Sequence, residues 1–354
     1  MITVQNPSLA APTARRFIPL SHAAARPNSR KIRRKFQAIG VSNQAVIDVR
    51  RVSKSFERGA RVLDNVTFSV ARREMVALIG ASGSGKSTLI RALAGLVPID
   101  RAAGEGGGTI AMFGEPIQRD GRIVRGAKEL RVRMGVIFQQ FNLVPRLSVL
   151  TNVCLGLLGR MPFIRGTLSN FTMDEKRGAM HALARVGMGE HALKRGSELS
   201  GGQQQRAAIA RTLVQRAELL LADEPIASLD PASARRVMDI LADMNRRDGI
   251  TVLVSLHQVE YALSYCPRAI ALKAGQIVYD GPSDELTPAL LSSIYGAELS
   301  ELFPSSFERP ASPRQRREGE LAAAKQRVEA RERPVAGHAA QSGRGSADGD
   351  RLRA

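Results

Sequence analysis

Short apolar runs alternate with longer segments of helical periodicity through the middle of the chain. The runs are four or five residues long, which is typical of buried strands, and they cover residues 76–79, 135–138, 219–222 and 251–255. Residues 86–96 and 232–246 repeat apolar positions at intervals of three and four and predict helices. This alternation predicts an α/β fold, with a mostly parallel sheet flanked by helices.

Two further regions depart from that alternation. Residues 45–70 and 108–118 have the pattern of antiparallel strands and predict a smaller side sheet, a small antiparallel β subdomain. Residues 146–215 are mostly helical in pattern and predict an inserted α-helical subdomain. Together with the alternating segments, these regions predict one folded domain over residues 46–300.

The two ends of the chain differ from the middle in composition. Residues 1–45 are rich in Ala, Pro, Ser and Arg without a sustained period, and residues 301–354 combine prolines with many charged residues. Such segments bury too little apolar surface to form a core. We therefore expect a flexible basic N-terminal extension and a disordered, charged C-terminal tail.

The net charge of +19 raises the question of an acidic partner. Residues 1–45 have eight Lys or Arg and no Asp or Glu, and residues 304–354 have eleven against seven, so the two ends hold twelve of the nineteen charges. The ends lack the interleaved aromatic residues of a nucleic-acid stacking surface. We interpret them as solvated tails, or as segments attracted to an anionic membrane surface, and expect no specific nucleic acid partner.

Cysteine content and hydropathy exclude several other classes of protein. Cys154 and Cys266 form no CxxC pair, which speaks against a disulfide framework or a zinc ribbon and favours reduced thiols. No apolar stretch approaches the roughly 18 residues that a membrane-spanning helix needs. Arg15 and Arg16 faintly resemble a twin-arginine export signal, but Ser21-His22 and Arg26-Pro27 leave no apolar core of the length that such a signal needs. A membrane role would therefore depend on partner chains.

A phosphate-binding motif follows the first apolar run and opens the first predicted helix. Its residues are Gly80, Ala81, Ser82, Gly83, Ser84, Gly85, Lys86 and Ser87, followed by Thr88. They fit G-x-x-x-x-G-K-[ST], in which glycines let backbone N–H groups turn toward phosphate oxygens. Lys86 is expected to reach the β- and γ-phosphates, and the Ser87 hydroxyl to bind Mg²⁺. The sequence thus predicts a P-loop NTPase core that binds ATP and Mg²⁺.

Two acidic residues end the apolar run at 219–222. An acid at the carboxyl end of a buried parallel strand faces the crevice where ligands bind. Asp223 is therefore expected to bind Mg²⁺, and Glu224 to activate water as the general base. By itself this pair would also fit a solvated acidic turn, but the phosphate-binding motif favours the catalytic interpretation.

The run Leu199-Ser200-Gly201-Gly202-Gln203-Gln204-Gln205-Arg206 resembles the signature of the ABC ATPase family. A glycine-bearing helix start can present N–H groups to a γ-phosphate. In the family, the signature serves the ATP that is held by the opposite subunit. The resemblance therefore implies a head-to-tail dimer of two copies with ATP in the interface, in which Ser200, Gly201, Gly202 and Gln203 contact the partner's nucleotide.

Other positions fit the same family in order and spacing. Gln139 matches the Q-loop glutamine, which approaches Mg²⁺ and is expected to contribute to catalysis. Asp230 matches the D-loop aspartate, His257 the switch histidine that senses the γ-phosphate, and Phe56 the aromatic residue that stacks on adenine. Taken singly, His257 and Phe56 would more often be packing residues, and it is the order and spacing of the motifs that favours their functional roles.

Within this class, residues 135–144, 146–153, 223–231 and 257–263 resemble the phosphonate-import ATP-binding proteins. Ile226-Ala227 is informative because many ABC ATPases have Thr-Ser or Thr-Ala there. The resemblance implies an ATPase at the cytoplasmic face of the inner membrane, coupled to phosphonate import. Its partners would be two transmembrane permease subunits and a solute-binding protein. The two basic ends depart from the shorter family pattern.

Two alternatives remain open from the sequence. One is an ABC transporter ATPase for another solute, such as amino acids, or an exporter of lipoproteins or drugs, because solute choice belongs to chains other than this one. The other is a soluble ABC ATPase that acts on DNA or ribosomes. Such proteins typically have two cassettes or a long coiled-coil insertion, and this chain has one cassette and no sustained heptad repeat.

Overall fold

The computed structural model describes residues 45–56, 59–101, 107–140 and 143–296. The expected N-terminal extension, apart from Ala45, and the expected C-terminal tail lie outside these residues. Within the described ranges, no helix combines the length and the apolar character needed to span a bilayer.

A side sheet of five antiparallel strands is formed mainly by the first part of the chain. Its strands lie in the order β2-β1-β4-β5-β6. They are β1 (Ala45–Ser55), β2 (Arg61–Ala71), β4 (Thr109–Met112), β5 (Glu115–Arg119) and β6 (Arg122–Ile123). The predicted small β subdomain is therefore present.

The main sheet has six strands in the order β11-β10-β3-β9-β8-β7. They are β3 (Met75–Ile79), β7 (Met134–Ile137), β8 (Leu219–Asp223), β9 (Thr251–Ser255), β10 (Arg268–Lys273) and β11 (Gln276–Pro282). All neighbouring pairs are parallel except β10 with β11. The carboxyl ends of β3, β7, β8 and β9 therefore meet at one edge, where the predicted motif residues follow.

The central strand β3 separates two hydrophobic cores. Met75, Ala77 and Ile79 pack into the core on the helical side, whereas Val76 and Leu78 pack into the core beneath the side sheet. Every residue of this strand is buried, as expected for a parallel strand covered on both faces. The phosphate-binding motif thus follows a central strand that is packed against a hydrophobic core on each face.

Nine α-helices occur in the described residues. They are α1 (Lys86–Leu93), α2 (Ala127–Val132), α3 (Val149–Cys154), α4 (Phe163–Thr167), α5 (Met173–Arg185), α6 (Gly201–Val214), α7 (Pro231–Asp248), α8 (Val259–Tyr265) and α9 (Pro288–Tyr295). Short 3-10 helices cover Leu155–Arg160, Gly189–His191, Gly196–Glu198 and Ser283–Glu285. Helices α3, α5 and α6 pack against one another and form most of the predicted helical subdomain.

Helix α1 ends three residues before the predicted end at residue 96. Gly95 adopts a φ of +67°, in the left-handed region. The N–H groups of Leu96 and Gly95 donate to Arg91 O and Ala92 O, both at 2.9 Å. This is the pattern of a Schellman motif, in which a glycine closes the helix. The predicted helix was too long because Leu96 continues the apolar period of the preceding residues.

Both cysteines are free thiols and lie buried in the core on the helical side. Burial raises the pKa of Cys154 to about 11, because it disfavours the charged thiolate. Burial also raises the pKa of Cys266. The expectation of reduced thiols without a disulfide agrees with this arrangement.

Candidate active site

The phosphate-binding motif forms the loop between β3 and α1, which begins at Lys86. Gly80, Gly83 and Gly85 adopt φ values of +148°, +74° and +105°. A Cβ on Gly80 would lie 2.1 Å from Leu272 O, and one on Gly85 would lie 2.7 Å from Val62 O. These two positions therefore require glycine both for backbone conformation and for space.

The Lys86 side chain is buried within the loop. Its Nζ donates to Gly80 O at 2.8 Å and to Ala81 O at 3.1 Å. Nζ also lies 3.9 Å from Glu224 Oε1. Ser84 Oγ is buried and has no hydrogen-bond partner among the described residues. A cradle with a buried ammonium group and an unpaired hydroxyl fits a group rich in oxygen acceptors, such as a triphosphate.

Asp223 ends β8 and is held by two hydroxyl groups. Ser87 Oγ donates to Asp223 Oδ1 at 2.9 Å, and Ser255 Oγ donates to the same oxygen at 3.0 Å. Asp223 is only 3% exposed, so its carboxylate depends on these donors. A carboxylate beside a serine hydroxyl is a pair of hard oxygen ligands, which suits Mg²⁺.

Glu224 follows Asp223 in a left-handed conformation with φ +48°. Its backbone N–H donates to Ser255 Oγ at 2.8 Å. The Glu224 side chain lines a cleft of about 260 Å³ together with His257, Gln258 and Ala227. The structure thus brings the predicted general base and the predicted γ-phosphate sensor to one cleft.

Gln139 and Phe56 lie in more exposed positions. Gln139 follows β7, whose last residue Ile137 pairs with Ala222, so it lies at the same sheet edge as the acidic pair. Phe56 follows β1 and is 49% exposed, with Lys54 Nζ 5.2 Å from its ring centroid. An exposed aromatic ring is available for stacking on a base, and both assigned roles stay predictions.

The predicted signature forms the start of α6. Ser200 and Gln203 make a capping box: Ser200 N donates to Gln203 Oε1 at 2.9 Å, and Gln203 N donates to Ser200 Oγ at 3.4 Å. Gln203 Nε2 then donates to His191 Nε2 at 2.8 Å. Both ends of the Gln203 amide are therefore fixed, one by the helix start and one by the helical subdomain.

The signature contacts the start of α7, where Asp230 is the N-cap. Asp230 Oδ1 accepts from the N–H groups of Ala232 and Ser233, both at 3.0 Å. Hydrogen bonds from the side chain and backbone of Ser233 lower the pKa of Asp230. A Cβ on Gly202 would lie 2.9 Å from Ser233 Oγ. The second signature glycine therefore allows α6 to pack closely on the helix that Asp230 begins.

Two side chains in this network were not predicted from the sequence. Ser255 was expected only as the last residue of a strand, and His191 was not singled out in the helical region. No local pattern marks either residue, because Ser255 contacts Asp223 across the sheet and His191 contacts Gln203 through packing of the subdomain.

Comparisons with known proteins agree with this geometry. The family model of ABC transporters matches residues 63–227. The phosphonates import ATP-binding protein PhnC of Stutzerimonas stutzeri is 58% identical over 271 residues, which cover 76% of this chain and 97% of the relative. The PhnC 1 protein of Pseudomonas aeruginosa (strain UCBPP-PA14) is 59% identical over 254 residues, covering 72% of this chain and 90% of that protein.

The chain belongs to the phosphonates import ATP-binding protein family of ABC transporters. The predicted resemblance is thereby confirmed. This family places the described domain among ATPase subunits of import systems, and the aligned length covers nearly the whole of the Stutzerimonas relative.

Solved ABC cassettes share the fold of this phosphonates import family member. The dimeric bacterial cassette MJ0796 is 29% identical with a TM-score of 0.58, covering 67% of this chain and 98% of that one. A dimeric post-hydrolysis state of the same cassette bound to ADP and Pi matches with a TM-score of 0.57 and 29% identity over 67% and 98% of the two chains. The predicted P-loop NTPase fold with its β and α-helical subdomains is confirmed.

Proposed function

We propose that this chain is the ATP-hydrolysing subunit of an ABC importer for phosphonates. Residues 46–300 form its nucleotide-binding domain, and residues 146–215 its helical subdomain. The observation that carries this function is the meeting of Lys86, Ser87, Asp223 and Glu224 at one edge of the main sheet. Family membership adds the transport context and the solute class.

ATP binding is assigned to the loop between β3 and α1. The backbone and side chains of residues 80–88 surround the phosphates, with Lys86 supplying a positive charge. Lys86 Nζ donates to the carbonyl oxygens of Gly80 and Ala81, which are weaker acceptors than phosphate oxygens. A bound triphosphate therefore offers the ammonium group a stronger set of acceptors. Phe56 stacks on the adenine ring from the side sheet.

Hydrolysis is assigned to the two acids at the end of β8 and to two neighbouring polar residues. Ser87, Asp223 and Gln139 hold Mg²⁺, which when bound neutralises phosphate charge. Glu224 takes the proton of the attacking water, and its backbone is held by Ser255. His257 lies in the same cleft as Glu224 and contacts the γ-phosphate together with Gln139.

The complete site requires a second copy of the chain. Ser200, Gly201, Gly202 and Gln203 present the start of α6 to the ATP of the partner subunit, as a helix N-terminus favours an anion. Asp230 begins α7 directly beside the signature and lies in the same interface. Two copies therefore pair head to tail with two ATP molecules between them.

The remaining partners follow from the transport function. Two transmembrane permease subunits would receive the movement of the dimer on ATP binding, and a solute-binding protein would deliver the phosphonate. The chain then works as a peripheral protein at the cytoplasmic face of the inner membrane.

Uptake of a labelled alkylphosphonate tests this proposal. Cells that lack the protein are complemented with wild type, with Lys86→Ala, or with Lys128→Ala, which changes an exposed lysine of α2. We expect wild type and Lys128→Ala to restore uptake, and Lys86→Ala to fail. Uptake that does not depend on the protein would exclude phosphonate as the solute, and restoration by Lys86→Ala would contradict the ATPase assignment.

A further inference from the structure

The last described helix, α9, reaches the phosphate loop. Thr287 caps this helix and Pro288 is its first residue, so its start is fixed locally. Leu291, Ile294 and Tyr295 are its buried residues. Tyr295 is only 3% exposed and lies at the final position of the helix. Its side chain is therefore held by the core, and not by solvent-facing contacts.

The Tyr295 hydroxyl contacts the first residue of the loop. Gly80 N donates to Tyr295 Oη at 3.2 Å, while Gly80 O accepts from Lys86 Nζ at 2.8 Å. Gly80 is buried and has no room for a side chain. The two peptide groups that flank Gly80 are thus held by different partners, one by α9 and the other by the lysine of the loop.

The Tyr295 ring also lies beside His257. Their ring centroids are 6.5 Å apart and the ring planes are tilted by 52°, an ordinary geometry for neighbouring aromatic rings. A single side chain from the end of α9 thus approaches both the phosphate loop and the residue assigned to sense the γ-phosphate. None of the motifs that define the site includes this tyrosine.

We propose that Tyr295 is a positioning residue that holds the phosphate loop in the conformation that binds ATP. This inference rests on the ATP-binding function proposed above. When Lys86 moves from Gly80 O toward a triphosphate, the hydroxyl of Tyr295 still holds the N–H side of Gly80. A loop that is held in its binding conformation binds more tightly, because less of the binding free energy is spent on ordering it.

Tyr295→Phe isolates the hydroxyl, since it keeps the ring beside His257 and leaves the Gly80 N–H without its partner. Leaving the buried Gly80 N–H without an acceptor costs free energy, so the variant populates the binding conformation of the loop less. We expect the Kd and KM for ATP to rise about ten-fold, with kcat changed less than about two-fold. Tyr295→Leu also removes the ring, and we expect it to lower kcat as well.

Tyr279→Phe is the matched control, because Tyr279 Oη donates to Pro282 O at 2.6 Å in β11. ATP titration calorimetry, steady-state ATPase kinetics and urea unfolding are measured for the full chain of each variant. A rise in KM for Tyr295→Phe alone supports the inference. An equal loss of stability in Tyr295→Phe and Tyr279→Phe with unchanged ATP affinity would show a merely structural role and overturn it. Failure of wild type to bind ATP would instead overturn the proposed function, and this inference with it.

Discussion

Ser255 links the two acidic residues of the site, since its hydroxyl donates to Asp223 Oδ1 at 3.0 Å and accepts from Glu224 N at 2.8 Å. One serine at the end of β9 thus orients the side chain of one acid and the backbone of the next. Because Ser255 is fully buried, water does not replace these bonds at low cost.

Ser255→Ala removes both contacts. We expect the free energy of unfolding to fall by about 1–3 kcal/mol, because the half-buried Glu224 N–H loses its partner and the buried Asp223 carboxylate loses one donor. We also expect the Mg²⁺ concentration that gives half-maximal ATPase activity to rise about ten-fold, because Asp223 loses one of the two hydroxyl groups that orient it. Urea unfolding and Mg²⁺ titration of the ATPase measure the two effects.

Ser283→Ala is the control for the first effect. Ser283 is also buried, and its Oγ donates to Cys266 O at 2.5 Å, away from the acidic pair. It should lose similar stability and keep the Mg²⁺ dependence of wild type. An unshifted Mg²⁺ titration in Ser255→Ala would mean that the serine only supports the sheet.

Glu224→Gln tests the general-base role proposed for Glu224. The substitution keeps the size of the side chain and removes its ability to accept a proton, so turnover should fall by about 10²–10⁴. ATP binding should stay close to wild type, because Lys86 and the loop are unchanged. ATPase assays and ATP titration of the purified chain measure both, with the exposed Glu260→Gln of α8 as control. Unchanged turnover would remove Glu224 from this role.

The contact between Gly202 and Ser233 predicts a coupling between α6 and α7. Gly202→Ala places a Cβ 2.9 Å from Ser233 Oγ and 3.0 Å from Ser233 Cβ. Ser233→Gly removes both atoms, so the double variant should lose less stability than the sum of the single variants. We expect a coupling energy of about 0.5–3 kcal/mol, as for residues in direct contact.

Urea unfolding of the wild type, both single variants and the double variant gives this coupling. Gly178→Ala in α5 is a useful control, because a Cβ there meets nothing within 4 Å. It should show no coupling to Ser233→Gly. Additive effects of Gly202→Ala and Ser233→Gly would contradict the close packing of the two helices.

Acid should weaken the ion pair between Glu218, which precedes β8, and Arg133, which precedes β7. Hydrogen bonds from Arg133 hold the pKa of Glu218 below its usual value. A lowered folded-state pKa means that this stabilisation is present above the unfolded-state pKa of about 4.3 and is lost as the pH falls through the folded-state pKa.

The difference in free energy of unfolding between wild type and Glu218→Gln should therefore be constant above about pH 5.5 and shrink below about pH 4. Urea unfolding from neutral to acidic pH measures it. Glu115→Gln, at an exposed glutamate of β5, is the control for the effect of removing one surface charge. If this difference in the free energy of unfolding grew toward acid pH, a lowered pKa of Glu218 in the folded state would be contradicted.

The strands of the main sheet were predicted closely because their signal is local. The strand predicted at residues 251–255 is observed with the same bounds. The strand predicted at residues 219–222 is one residue longer in the structure and ends at Asp223. Continuous apolar runs mark strands that are buried on both faces. Helix α7 was predicted over 232–246 and covers Pro231–Asp248, since the Asp230 cap and the left-handed Gly249 set its ends.

The motif residues could be singled out because glycine spacing and acidic strand ends appear in the sequence itself, and their roles stay predictions. The contacts that support these residues were not predicted. Ser255, His191 and Tyr295 reach the site from segments 32, 12 and 215 positions away from the residues they contact. Such contacts depend on sheet order and helix packing, which a pattern of apolar and polar positions does not specify.

The buried thiols have a practical consequence for studying movement of this protein. A maleimide reacts with thiolate, and burial keeps both Cys154 and Cys266 protonated near neutral pH and away from solvent. A single cysteine introduced on the surface is therefore expected to be the preferred site for a dye or a cross-linker. Distances between the two copies of the proposed dimer can then be followed through the ATP cycle without replacing either native cysteine.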